Sequence, residues 1–259
     1  MNDVRQSITP GAASFAELSR FTVRALKARF RDHAAEMSVI RRHIKADDTV
    51  CDIGANKGSF VLWLSRWVGN SGRVVAFEAQ PDLARRLDAT CRAGGLSNVT
   101  VEAKAVYATS GLHELHVPIR HQPGASLNRP NLPSDEIMTT RVATVALDDY
   151  FSRNEPVSVL KVDVEGAEQA VFAGAARILA NRQPLLVFEC ENRHLNGGSV
   201  RDVFAHLKSM GYNGHFVASG RFLPVSLFDE AVHQRHDGEW FWKRKDYCNN
   251  FIFTASKST

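Results

Sequence analysis

The stretch from Thr49 to Ser59, reading TVCDIGANKGS, constrains this chain more than any other. Thr49, Val50, Cys51 and Ile53 form a short apolar run bounded by turn residues, which predicts a buried strand. Asp52, Gly54 and Gly58 mark its carboxyl end, and Phe60 to Val68 follows in a helix-compatible pattern. Strand, glycine turn and helix together form the entry to a nucleotide-binding α/β domain. Gly54 and Gly58 let the backbone turn sharply and approach a ligand closely. The spacing is acidic-x-Gly-x-x-x-Gly, not Gly-x-Gly-x-x-Gly, so the usual turn for a dinucleotide pyrophosphate is missing. Asn56-Lys57-Gly58-Ser59 does not match a Walker loop either.

The rest of the chain alternates strand and helix. Arg73 to Glu78, Asn98 to Ala103, Val157 to Asp163 and Pro184 to Cys190 read as strands; so do Tyr212 to Val217 and Asn250 to Thr254. Asp82 to Ala93, Gly166 to Leu179 and Ser199 to Met210 read as helices between them. This alternation predicts a mostly parallel sheet with helices on both faces. Functional loops then gather at the carboxyl ends of the strands. Leu112 to Pro118 and Thr139 to Ala146 read as extended, separated by a proline-rich loop from Ile119 to Met138; such a long loop is usually functional. Before the core, Ser14 to about His43 predicts two helices, with Phe15, Leu18, Phe21, Leu26 and Phe30 at helical spacing. Ser14 and Glu17 fit a capping box. These helices are expected to pack beside the sheet as a lid or an oligomer contact, which leaves a homo-oligomer open. Residues 1–13, with Thr9-Pro10-Gly11, read as a turning leader. The division expected is a helical extension over 1–45 and a catalytic domain over 46–259.

Three acidic features carry the chemistry. Asp52 stands at the first strand tip, where an acid would repel pyrophosphate but suit the ammonium end of S-adenosylmethionine. Glu78 ends the second strand, where a carboxylate can accept hydrogen bonds from ribose hydroxyls. Asp163 ends the strand in LKVDVEGAE, and an acid closing an apolar strand needs a partner. Glu165 and Glu168 follow; helix-dipole preference accounts well for Glu168 and partly for Glu165.

These motifs, DIGANKGSF, VVAFEAQP, LDDY and LKVDVEGAE, followed by AARIL and PLLVFE, resemble the FkbM family of S-adenosylmethionine-dependent methyltransferases over about residues 36–254. The resemblance implies a class I methyltransferase, Rossmann-like fold: a seven-stranded, mostly parallel sheet whose last strand is antiparallel. It implies O-methylation of a sugar, glycan or natural-product hydroxyl. Asp52, Gly54, Asn56 and Gly58 would line the methionine part of the cofactor, Glu78 the ribose, and Ala105 and Val106 the adenine. Where such sequences often read Gly-Asp next, this one has Tyr107-Ala108, and Tyr107 is a candidate to stack instead. The candidate bases are Asp163, Glu189 and His194. The same three side chains are a candidate set for Mg²⁺ or Mn²⁺. An RNA methyltransferase and a non-catalytic module keeping the cofactor fold stay as alternatives.

Composition bounds the partners. The net charge of +4 is uneven: residues 1–45 carry nine Lys and Arg against four acids, and the remainder is near −1. The basic leader reads as the solvated face of a helix, and nucleic acid is disfavoured. The expected partner is a small-molecule or glycan acceptor. Apolar runs are too short for a membrane span, and no signal peptide pattern opens the chain, so a cytoplasmic location is expected. Cys51, Cys91, Cys190 and Cys248 are scattered and read as buried small hydrophobes. Trp240 to Lys245 and the loop at Gly124 to Leu127, with His121 and Arg129 nearby, are the substrate-side candidates. The rival reading of Trp240 to Lys245 is a surface hairpin with a tryptophan plugged into the core.

Overall fold

The computed structural model describes residues 13–120 and 122–256. The Thr9-Pro10-Gly11 turn and His121 lie outside them. The chain opens with helix α1 (Phe15–Lys27), runs through a π-helical turn (Ala28–Asp32) and continues as α2 (Ala34–His43). The capping box is made: Ser14 N and Oγ donate to Glu17 at 2.7 and 2.9 Å, and Glu17 N donates back to Ser14 Oγ at 3.2 Å. Of the apolar series expected to face the core, Phe21 is buried, joined by Ala25, whereas Phe15, Leu26 and Phe30 are exposed. The series spreads over two sides of the helix, and only one side meets the domain.

The strands are β1 (Thr49–Ile53), β2 (Arg73–Phe77), β3 (Val99–Glu102), β4 (Ala105–Val106), β5 (Gly111–Pro118), β6 (Ile137–Val145), β7 (Val157–Val162), β8 (Leu185–Glu189), β9 (Tyr212–Ala218), β10 (Arg221–Pro224) and β11 (Asn250–Ala255). The remaining helices are α3 (Val61–Val68), α4 (Pro81–Ala93), α5 (Leu147–Tyr150), α6 (Glu168–Ala173), α7 (Ala176–Arg182), α8 (Val200–Ser209) and α9 (Glu230–His233). The main sheet has the order β10-β9-β11-β8-β7-β1-β2-β3, with β11 antiparallel to both neighbours. The expected seven strands form its body, and β10 adds an eighth at the edge as a hairpin with β9. The hairpin turn, Ser219-Gly220, has φ of +47° and +75°, the backbone that suits the twist of a two-residue hairpin.

The two extended segments either side of the long loop pair with β4 in a separate three-stranded sheet, β4-β6-β5. The helix expected over Gly166 to Leu179 is split at Gly174, where a Cβ would lie 2.1 Å from the Tyr107 carbonyl oxygen. Asp148 of the LDDY motif then caps α7, accepting from Arg177 N at 2.6 Å and Ile178 N at 3.1 Å. This satisfies amides that a helix start leaves unpaired.

β1 is buried along its whole length. Cys51 and Ile53 join the core on one face with β7, β8, α6 and α8, while Val50 joins Met37, Ile40 and Leu64 on the other. Successive strands run outward from β1 through β2 to β3 in one direction and from β7 to β8 in the other. The reversal between β1 and β7 opens a crevice at their carboxyl ends, where ligands bind in sheets of this type.

Candidate active site

The crevice is a concave cleft lined from the ends of β1, β2, β4, β7 and β8, the kind of place where small molecules and cofactors bind. One wall comes from the β1 turn. Gly54 has φ +76°, and a Cβ there would stand 1.8 Å from the Asp163 carbonyl oxygen. No side chain fits between the two strand ends. Asn56 has φ +48°, and its N–H donates to Glu78 Oε2 at 2.8 Å. Gln80 N donates to Glu78 Oε1 at 2.8 Å. Glu78 is buried, and burial pushes its pKa up, with these two amides working against the rise. Each carboxylate oxygen keeps a further lone pair, so Glu78 can still accept from a bound group. The Oδ1 of Asn56 is buried without a hydrogen-bond partner among the described residues. Ala79, Ala105, Val106, Leu115, Ala125 and Leu127 give the cleft an apolar flank. A carboxylate with spare acceptor capacity, an apolar slot and an unpartnered amide oxygen fit a nucleoside carrying an amino-acid arm.

The opposite end is acidic. Asp163, Glu165 and Glu189 line it. Beneath them Lys161 is buried, its Nζ 3.3 Å from Asp52 Oδ1 and 3.4 Å from Asp163 Oδ2. The ammonium also faces the Phe60 ring at 5.0 Å. Burial works against its charge, but Asp52 and Asp163 outweigh burial and raise its pKa. Burial lifts the pKa of Asp52, and Lys161 offsets part of the rise. Glu189 is pushed well up by burial and then by the charges of Asp163, Glu191 and Glu165. Asn249 Nδ2 donates to its Oε1 at 2.6 Å. Burial would also raise Glu191, but hydrogen bonds from Arg193 and Tyr247 hold it below the ordinary carboxylate value.

The long loop before β6 folds back over this end. Ser126 Oγ donates to the Glu165 carbonyl at 2.6 Å, and Asn128 Nδ2 donates to the Gly166 carbonyl at 2.7 Å. Ser126 also bridges to His116 of β5 through paired backbone hydrogen bonds. The loop is thereby tied to the turn that follows β7.

Seven of the residues expected at the site line the cleft: Gly54, Asn56, Glu78, Ala105, Val106, Asp163 and Glu189. Three do not. Asp52 is buried below it against Lys161. Gly58 packs against α1 and α4, where a Cβ would come within 2.6 Å of Leu87 and 2.8 Å of Phe21. His194 stands behind Glu165, its Nε2 3.0 Å from Glu165 Oε2. Tyr107 turns its ring to His113, with centroids 4.6 Å apart, and is not part of the cleft wall. Trp240 and Trp242 are exposed beside a 3-10 turn rather than plugged into the core, and neither reaches the cleft. Lys161 carries no role in the sequence reading, yet a lysine inside VSVLKVD signals a buried partner. Among the described residues, no group of three or more His, Cys, Asp or Glu is arranged to hold a metal ion. The Mg²⁺ or Mn²⁺ reading of Asp163, Glu189 and His194 therefore lacks support. All four cysteines are free and buried.

The sheet order, the antiparallel β11 and the cleft at the β1–β7 reversal define a Rossmann-like α/β protein of the class I methyltransferase type. The chain belongs to the methyltransferase FkbM domain family, whose model matches residues 52–213. Among solved structures, it is similar to the methyltransferase FkbM from Methylobacillus flagellatus, with 13% identity and a TM-score of 0.51 over 92% of this chain. It spans 59% of that protein's chain. The O-methyltransferase from Bacillus cereus, in complex with SAH, is 13% identical with a TM-score of 0.52, covering 95% of this chain and 92% of its own. At such identities the likeness is one of fold. No curated protein matches the sequence.

Proposed function

We propose that this chain is an S-adenosylmethionine-dependent O-methyltransferase acting on a hydroxyl of a sugar, glycan or other natural product. The observation that carries this reading is the division of the cleft into a nucleoside-shaped half around Glu78 and an acidic half around Asp163. In this reading Glu78 receives the ribose hydroxyls, and Ala105, Val106 and Leu127 flank the adenine. Gly54 and Asn56 border the methionine arm. Asp52 contributes from below, by fixing Lys161. S-adenosylmethionine, when bound, supplies a methyl group on a positively charged sulfur. Asp163 and Glu165 favour positive charge at their end of the cleft. They would repel a phosphodiester backbone, which weighs against an RNA acceptor.

A hydroxyl is a weak nucleophile until a base removes its proton. Asp163 is the first candidate, because its carboxylate is on the cleft wall and held on one side by Lys161. Glu189 is the second. It lines the same end of the cleft, and burial raises its pKa. His194, through Glu165, would orient that carboxylate rather than touch the acceptor. Residues 1–45 are read as a helical extension and 46–259 as the catalytic domain.

The test has two parts. Calorimetry with S-adenosylhomocysteine should show binding that Glu78→Ala weakens; absence of binding at millimolar concentration would overturn the cofactor assignment. Asp163→Asn should lower methyl transfer to a hydroxyl acceptor by about 10²–10⁴-fold with cofactor binding retained. Near-normal turnover would remove Asp163 as the base.

A further inference from the structure

Helix α1 has three sides, and only one is explained by the fold. Phe21 and Ala25 are buried against α3 and α4, and Ala28 after them is buried with α2 and α3. On another side Phe15, Val23, Leu26 and Phe30 are 86%, 48%, 42% and 67% exposed. At about 100° per residue, Phe15, Val23 and Leu26 fall within an arc of about 80°. Arg20, Arg24 and Lys27 occupy the next arc of about 60°. The apolar stripe is thus bordered by cations instead of being scattered among them.

The stripe continues onto the domain. Phe30 meets Trp63 edge to face at 5.9 Å, and Trp63 stacks on Trp67 at 6.0 Å. Both tryptophans are half-buried. Arg29 lies over the rings of Phe30 and Trp67 at 5.2 and 5.8 Å, and Arg66 over Trp63 at 5.5 Å. Among the described residues, Arg20, Arg24, Lys27, Arg29 and Arg66 make no ion pair with a carboxylate. Glu17 is the acid in the first turn of α1, and its carboxylate is engaged by Ser14.

We propose that α1 through Phe30, with Trp63 and Trp67 behind it, lies on the surface of an anionic lipid bilayer. The chemistry of each part fits that occupant. Phenylalanine and leucine side chains enter the boundary between headgroups and acyl chains. Trp67 and the arginines combine an apolar body with a polar tip suited to the headgroup layer, while Trp63 backs the stripe with its Nε1 donating to the Ala25 carbonyl at 2.7 Å. Unpaired cations along one border meet anionic headgroups. No helix among the described residues is long and apolar enough to cross a membrane, so the contact is one of lying on the bilayer, not spanning it. The surface adjoins the cleft: Arg24 Nη2 donates to the Lys57 carbonyl at 3.4 Å, and Asn56, the preceding residue, is in the cleft wall.

The test is co-sedimentation of the full chain with large vesicles, made either of phosphatidylcholine alone or of equal parts phosphatidylcholine and phosphatidylglycerol. Binding is expected to the anionic vesicles and to fall steeply with added salt. Phe15→Ser with Phe30→Ser should weaken it at least about tenfold, and Arg20→Gln with Lys27→Gln by about fivefold per cation removed. All four positions are exposed, so the thermal unfolding midpoint should be nearly unchanged in both variants, which separates lost binding from lost folding. Equal binding to both vesicle types would overturn the proposal, as would binding that the phenylalanine variant leaves intact. A dimer abolished by Phe15→Ser with Phe30→Ser, in a chain that ignores vesicles, would assign the stripe to a second copy and overturn it too. Vesicle binding does not require that the methyl-transfer assignment be correct, so the two readings fail independently.

Discussion

Replacing Lys161 by methionine is the sharpest test of how the acidic end of the cleft is held. The side chain keeps most of its length and an apolar stem, and loses the ammonium with its charge and donors. With an effective dielectric constant of about 20, a charge pair at 3.3 Å attracts by about 5 kcal/mol. The contact to Asp163 is nearly as short, but the Asp163 side chain is 36% exposed, so water screens it and it adds little. The loss therefore centres on Asp52, which is fully enclosed. Removing one member of a buried pair strands the other, and such losses run to about 3–5 kcal/mol. Lys161→Met should be destabilised by that amount in urea unfolding at neutral pH.

Two controls make the argument refutable. Asp52→Asn combined with Lys161→Met removes the stranded charge and leaves only an unpartnered amide, which costs about 1–3 kcal/mol. The double variant should therefore be more stable than the single one. The pH dependence has a definite sign. Asp52 already has a raised pKa, and without Lys161 it rises further. A carboxylate with a raised folded pKa binds protons more readily when folded, so its penalty shrinks as pH falls toward the unfolded value near about 4. The gap between Lys161→Met and the parent chain should narrow on acidification. A single variant within about 1 kcal/mol of the parent, or a double variant no more stable than the single, would refute the buried-pair reasoning.

Other consequences can be checked alongside it. Glu168 is buried against Cys190 and the Gly166 amide, and burial lifts its pKa from 4.5 to about 7. Its stabilising share is complete below the unfolded value and is lost as pH rises through about 7. Glu168→Gln should flatten the fall in unfolding free energy between pH 5 and pH 8, a fall of at most about 3 kcal/mol; an unchanged slope would show that other groups cause it. Gly54→Ala should prevent stable folding, because the new Cβ meets the Asp163 carbonyl. Gly69→Ala, at φ +75° and ψ −177° with nothing within 4 Å, should cost only the backbone strain of about 1–3 kcal/mol. Similar unfolding midpoints for the two would remove close strand approach as the reason for Gly54.

Much of the fold was legible because its signals are local. An apolar run such as VSVLKV or LLVFE marks a buried strand wherever it occurs, and Ser14 with Glu17 marks a helix start from four consecutive residues. What failed to show was set by partners far along the chain. The break at Gly174 depends on the Tyr107 carbonyl, and the cap of α7 on Asp148. The two sides of α1 have similar apolar spacing, and only the presence of α3 and α4 decides which is buried. Lys161 combines the two cases. A charge within an apolar strand announces a buried partner but does not name it. In the sheet, Asp52 is opposite Lys161 across the parallel β1–β7 pair, so the register supplies the name. That register also determines which acids are available for chemistry. Asp52 is fixed against the lysine below the cleft, while Asp163, two residues past Lys161 and therefore on the same side of its strand, shares the ammonium from above and keeps its outer edge toward the cleft. One parallel pairing thus divides two strand-tip carboxylates between structure and site.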